Sequence, residues 1–91
     1  MNSLDDVFEQ LQYFQRALLE FDEEVRASAE SLRKTHDELC GLWQDEAASR
    51  YRRAYESLAQ PLDHYLRADA PRFERFLEVK VRQLDQYMQG A

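Results

Sequence analysis

The chain of 91 residues holds one cysteine, two histidines, two glycines and two prolines. A single cysteine, Cys40, excludes an intramolecular disulfide. With Cys40, His36 and His64 dispersed, the residues of a zinc site are not assembled, and no metal or cofactor is expected. The few glycines and prolines leave little punctuation, and no repeat, low-complexity tract or long linker is present. No apolar run approaches the roughly 20 residues of a membrane span, so membrane insertion is not expected. The start, Met1-Asn2-Ser3-Leu4-Asp5-Asp6, lacks the basic and apolar regions of a signal peptide.

Basic residues are also in deficit, leaving a formal net charge of −6. Residues 1–46 carry 4 basic and 12 acidic side chains, net −8, and residues 47–91 carry 8 and 6, net +2. The overall sign disfavours nucleic acid as a partner. The asymmetry favours an antiparallel arrangement of the two halves.

What the chain does have is helical periodicity. Ser3 is a suitable N-cap, with Asp5 and Asp6 where the helix dipole favours acids. With Leu4 as heptad position a, the a series is Leu4, Leu11, Leu18, Val25, Leu32, Leu39. The d series is Val7, Phe14, Phe21, Ser28, Thr35, Leu42. The f series, Glu9, Arg16, Glu23, Glu30, Asp37, is charged throughout, which makes a/d the predicted seam. The acidic polar face disfavours anionic lipid. Phe8, Tyr13 and Leu19 lie off that seam and extend it as candidate dimer contacts.

Gly41 suits a left-handed helix stop, and Asp45 suits the N-cap of a second helix. The second helix begins with an apolar stripe of Ala48, Tyr51, Tyr55, Leu58, Leu62 and Tyr65. Leu66, Phe73, Leu77, Leu84 and Met88 then mark a stripe displaced by one position, a stutter-like change. Pro61 predicts a bend, and Pro71 a restart or break.

The predicted fold is therefore all-α: one domain over 1–91, an antiparallel two-helix hairpin. Its parts are a helix over 3–40, a turn over 41–45, and a helix over 45–88 kinked or broken near Pro61/Pro71. The apolar fraction of 44% exceeds what a lone hairpin hides, so pairing into a four-helix bundle is expected. The seam and dimer candidates are Leu4, Val7, Phe8, Leu11, Phe14, Leu18, Phe21, Val25, Leu32, Leu39, Leu58 and Leu62.

His36 and Cys40, four residues apart, share a helix face, but no orienting carboxylate or oxyanion site accompanies them, so catalysis is not expected. Cys40 reads as an apolar contact beside the turn or as an intermolecular disulfide site. Arg50, Arg52 and Arg53 alternate with Tyr51 and Tyr55 in the manner of a nucleic-acid site. The seam position of the tyrosines favours arginines facing an acidic helix instead. Trp43, the only tryptophan, either plugs the end of the hairpin or forms half of a recognition cleft.

The stretch from Leu42-Trp43-Gln44-Asp45 to Tyr55 resembles the WXG family, the small helical hairpins exported by type VII (ESX-type) secretion systems. Trp43, the Ala47-Ala48 pair, Tyr51 and Tyr55 occupy motif positions, with Asp45 where the family has glycine. Both residues are accepted N-caps. The resemblance implies a non-enzymatic protein that pairs with itself, with a related helical-hairpin protein or with a larger effector, and that engages a secretion ATPase. It implies a cytoplasmic protein exported without a cleaved leader. Family members carry a Tyr-x-x-x-Asp/Glu export signal beyond the second helix. Tyr87 is followed four residues later by Ala91, whereas Tyr65 and Asp69 match the spacing earlier in the chain. The alternative is a cytosolic coiled-coil adaptor or secretion chaperone unrelated to type VII export; a needle or filament subunit is a third reading.

Overall fold

The computed structural model describes residues 3–90. Met1, Asn2 and Ala91, the fourth residue after Tyr87, lie outside the described residues. Helix α1 spans Leu4–Leu42 and α2 spans Glu46–His64. A π-helical segment, Tyr65–Asp69, joins α2 directly to α3, Ala70–Gly90. The described residues are thus all-helical, in two long arms, and the molecule measures 67 × 21 × 16 Å.

Ser3 starts α1 with a capping box. Its hydroxyl accepts the Asp6 N–H at 3.1 Å, and the Asp6 carboxylate accepts the Ser3 N–H at 3.3 Å. The helix then runs for 39 residues, about 58 Å at 1.5 Å per residue.

The stop differs from the sequence expectation. Gly41 is helical, no glycine among the described residues has a positive φ, and α1 continues to Leu42. Trp43 ends it in an extended conformation, φ −119° and ψ 110°, and Asp45 begins α2 in another, φ −86° and ψ −175°. Two extended residues suffice to turn the chain, so no left-handed residue is needed.

Of the two expectations for the second arm, a kink or a break, the break near Pro71 does not occur, and Pro61 lies inside α2. The one-residue displacement of its apolar stripe falls on the π-helical segment, where the Ala70 N–H reaches back five residues to the Tyr65 carbonyl. A π turn inserts one residue and returns both flanks to the same face. Pro71 favours it, because a proline has no N–H for an i−4 bond and its ring crowds that carbonyl.

The second arm runs back along the first. Phe14 meets Phe73, Phe21 meets Tyr65, and His36 meets Tyr55, so residue numbers rise on one arm as they fall on the other. The contact face is not the a/d seam. Phe8, Leu11, Gln15, Leu18, Val25, Ala29, His36 and Leu39 are half-buried and Asp22 is fully buried. These are heptad positions a and e. Of the predicted d column, Val7, Phe14, Phe21 and Leu42 are exposed, as are Leu4, Leu32 and Leu58 of the predicted seam, while Leu62 is half-buried.

The reason lies in the polar members of the e column. Asp22 and His36 each find a tyrosine on the second arm, whereas Ser28 and Thr35 interrupt the d column. Among the described residues the only buried apolar side chains are Ala48, Ala70 and Leu77. Small residues at two of these three positions let the arms approach closely.

Candidate functional site

Two clusters tie the arms together, one at the corner and one at mid-length.

At the corner, Asp45 caps α2: its Oδ1 accepts the Ala48 N–H at 3.0 Å, and this bond holds the Asp45 carboxyl below its usual range. Ala48 is buried beneath the turn and Ala47 is half-buried. The Trp43 carbonyl accepts a bond from the Arg52 guanidinium at 2.8 Å. Its indole, half-buried, lies 5.7 Å from the Tyr51 ring. The imidazole of His36 stacks on Tyr55, with centroids 3.6 Å apart and planes 8° from parallel. Its Nδ1 lies 3.0 Å from the Tyr51 hydroxyl and its Nε2 lies 3.5 Å from Cys40 Sγ. One tautomer accepts the Tyr51 O–H at Nδ1 and directs its Nε2–H at sulfur; the other reverses both roles.

The structure therefore brings the motif residues Trp43, Asp45, Ala47, Ala48, Tyr51 and Tyr55 together with the His36/Cys40 pair and Arg52, which the sequence analysis had considered separately. Both ring nitrogens of His36 are occupied within the cluster. Its chemistry is that of an aromatic stack presenting one indole at the end of the molecule. His64, far from Cys40 in sequence, lies 3.7 Å from Asp69 on its own arm. Among the described residues no group of three metal-ligating side chains converges.

The second cluster was not foreseen. Asp22, 1% exposed, accepts the Tyr65 hydroxyl at Oδ1 at 2.5 Å. Phe21 meets the Tyr65 ring edge-on at 6.5 Å. The Asp22 bond pushes the Tyr65 hydroxyl up to about 12. Glu74 of α3 is held above its ordinary value, chiefly by hydrogen bonding to Asp22, then by burial and by the Asp22 charge. Asp22 sits at heptad e, a position usually solvated, so nothing in an a/d reading marks it. The signal that finds it is an e column in which Phe8, Gln15, Ala29 and His36 replace the charges expected there. The expected Tyr65/Asp69 pair falls exclusively on the π-helical segment, and Tyr65 points inward.

Outside these clusters lies the apolar surface. Phe14 and Phe73 meet edge-to-face at 6.0 Å, and Phe73 and Phe76 stack at 6.1 Å. Val7, Phe21 and Tyr87 are also exposed, and Lys80 lies over the Phe76 ring at 5.5 Å. Elsewhere an open groove of about 480 Å³ lies between α1 and α2, with Leu32, Leu58, Leu62 and Leu66 among its lining residues. Leu42, 87% exposed, flanks the corner. No described helix is long and apolar enough to cross a membrane.

No protein-family model, curated protein or solved structure matches the chain.

Proposed function

We propose that the chain is a non-enzymatic helical hairpin that acts by pairing into a four-helix bundle. In this reading it is a WXG-like component of a type VII-like secretion system, either an exported subunit or the partner that presents a larger effector.

The observation that carries the pairing is surface area. The chain exposes 7266 Å². A compact monomer of 10.9 kDa exposes about 5,600 Å² by the surface–mass relation. The excess, about 1,700 Å² per chain, is in the range that an obligate dimer buries. Exposed Phe14, Phe21, Phe73 and Phe76 give that area an aromatic centre, the kind of residue that anchors interfaces.

The secretion reading rests on the corner. What supports it is the helix–Trp43–Asp45–helix corner, in which Asp45, standing where the family has glycine, has a negative φ and caps α2. The indole remains partly open to a recognition surface.

One observation favours the alternative, a cytosolic adaptor or secretion chaperone. Tyr65, the candidate export-signal tyrosine, is engaged by Asp22 inside the molecule. Tagged wild-type chain and Trp43→Ala, expressed in a host with an active type VII system, separate the readings. Export of the wild type and cellular retention of a folded Trp43→Ala support the secretion role. Retention of both, with a stable client bound, supports the adaptor.

A further inference from the structure

We infer that the protonated Glu74 carboxyl donates its O–H to Oδ2 of Asp22, so that gain or loss of that proton closes or opens a clasp between the two arms at mid-length.

Three geometric observations carry this. Asp22 is 1% exposed on a chain with almost no other buried polar group. Its Oδ1 is satisfied by Tyr65, but its Oδ2 is buried without a partner among N–H and O–H groups in their ordinary protonation states. Buried acceptors are rarely left unpaired, because each costs its full desolvation penalty. The group beside it is the Glu74 carboxyl, which becomes a donor when it gains a proton. The π-helical turn supplies the third part. It places Tyr65 on Oδ1 while α3 resumes in phase to put Glu74 beside Asp22.

The charged surroundings of Glu74 favour the proton. From α1 it meets Asp22 and Glu23, both of which oppose its ionisation. Arg26 on the same helix favours ionisation, but its guanidinium is exposed and already paired with Glu23 at 3.4 Å. From the π-helical segment comes Tyr65, whose hydroxyl is bonded to Asp22 and feels both the Glu74 and Asp69 charges. The Glu74 carboxyl is accordingly raised above 4.5, first by the hydrogen bond to Asp22.

The direction of the switch follows. A carboxyl raised on folding stabilises the folded state most below its unfolded value, and that stabilisation is lost as pH rises through the folded value. When Glu74 loses its proton to water, the O–H···O bond becomes two facing carboxylates. The clasp at Asp22 loosens while the corner cluster, on separate residues, stays closed.

The test is thermal unfolding of the full chain from pH 4 to 8, comparing wild type with Glu74→Gln. Glutamine donates an N–H to Asp22 Oδ2 and does not titrate. The wild type is expected to lose Tm as pH rises through this window. The variant is expected to lose less and to exceed the wild type at pH 8 by about 5 °C, the shift typical of one hydrogen bond in a chain of this size. A variant less stable than the wild type at every pH, with an unchanged profile, overturns the inference. If Glu74→Gln does not fold, carbon-detected NMR titration of the wild-type Glu74 carboxyl decides. A midpoint above 4.5 supports the clasp, and one at or below it overturns the clasp.

Discussion

Phe14 and Phe73 face each other edge-on across the two arms at 6.0 Å, yet they remain 52% and 42% exposed. In the proposed bundle a second chain covers both rings. Phe14→Asp is therefore expected to weaken self-association by tenfold or more, since removing a buried aromatic from an interface centre costs about 2 kcal/mol. Sedimentation over a concentration series measures it. Helicity at concentrations where the chain is paired should change little, because between the arms Phe14 makes only the edge contact with Phe73 and stays half exposed.

At Gly41 the helix runs straight through, and a Cβ there would meet nothing within 4 Å. Gly41→Ala is expected to stabilise the protein by about 0.5–1 kcal/mol, the difference between the two residues inside a helix. A loss of stability in urea titration would show that the residue serves a left-handed turn after all.

Asp45 makes the opposite case. Because its φ is negative, Asp45→Gly should keep the turn and weaken α2 only slightly, while Asp45→Ala should weaken it more. The carboxyl is held low by the Ala48 N–H, so its contribution is present above the unfolded value of 3.8 and is lost as pH falls below it. As pH falls below 3.8, the difference in helix content between the aspartate and alanine proteins should narrow by circular dichroism.

Tyr65 should ionise well above the ordinary range of a phenol. Its hydroxyl, raised to about 12 by Asp22, contributes stability below about pH 10 that is lost as pH rises through 12. Ultraviolet difference titration should show one late phenol, absent from Tyr65→Phe. That variant also leaves Asp22 Oδ1 unpaired, an expected loss of about 1–3 kcal/mol.

The π-helical insertion can be removed. Deleting Arg67, an exposed residue of the segment, should leave a regular helix whose two halves stay in phase, and the chain should remain folded. Deleting Glu56 from the regular part of α2 should rotate everything beyond it by about 100° and abolish cooperative unfolding. Calorimetry of the two deletions distinguishes them.

Much of this was legible in the sequence. Ser3 and Asp45 announce the helix starts through side-chain chemistry local to a few residues. The one-residue displacement between Tyr65 and Leu66 locates the π turn, although a heptad count alone does not separate it from a stutter or a break. The contact face was not legible. Leu4, Val7 and Phe14 mark an apolar column equally well whether it meets the second arm or another chain. What selects the a/e face is pairing between distant residues, Asp22 with Tyr65 and His36 with Tyr51, which no spacing along one helix encodes. Gly41 was misplaced because glycine near a helix end signals a left-handed stop only when the turn requires one.

Light scattering of the purified chain at micromolar concentration tests the pairing most directly. The exposed aromatic face predicts a particle of twice the 10.9 kDa chain mass. A stable, helical, cooperatively folded particle of the single-chain mass would contradict it.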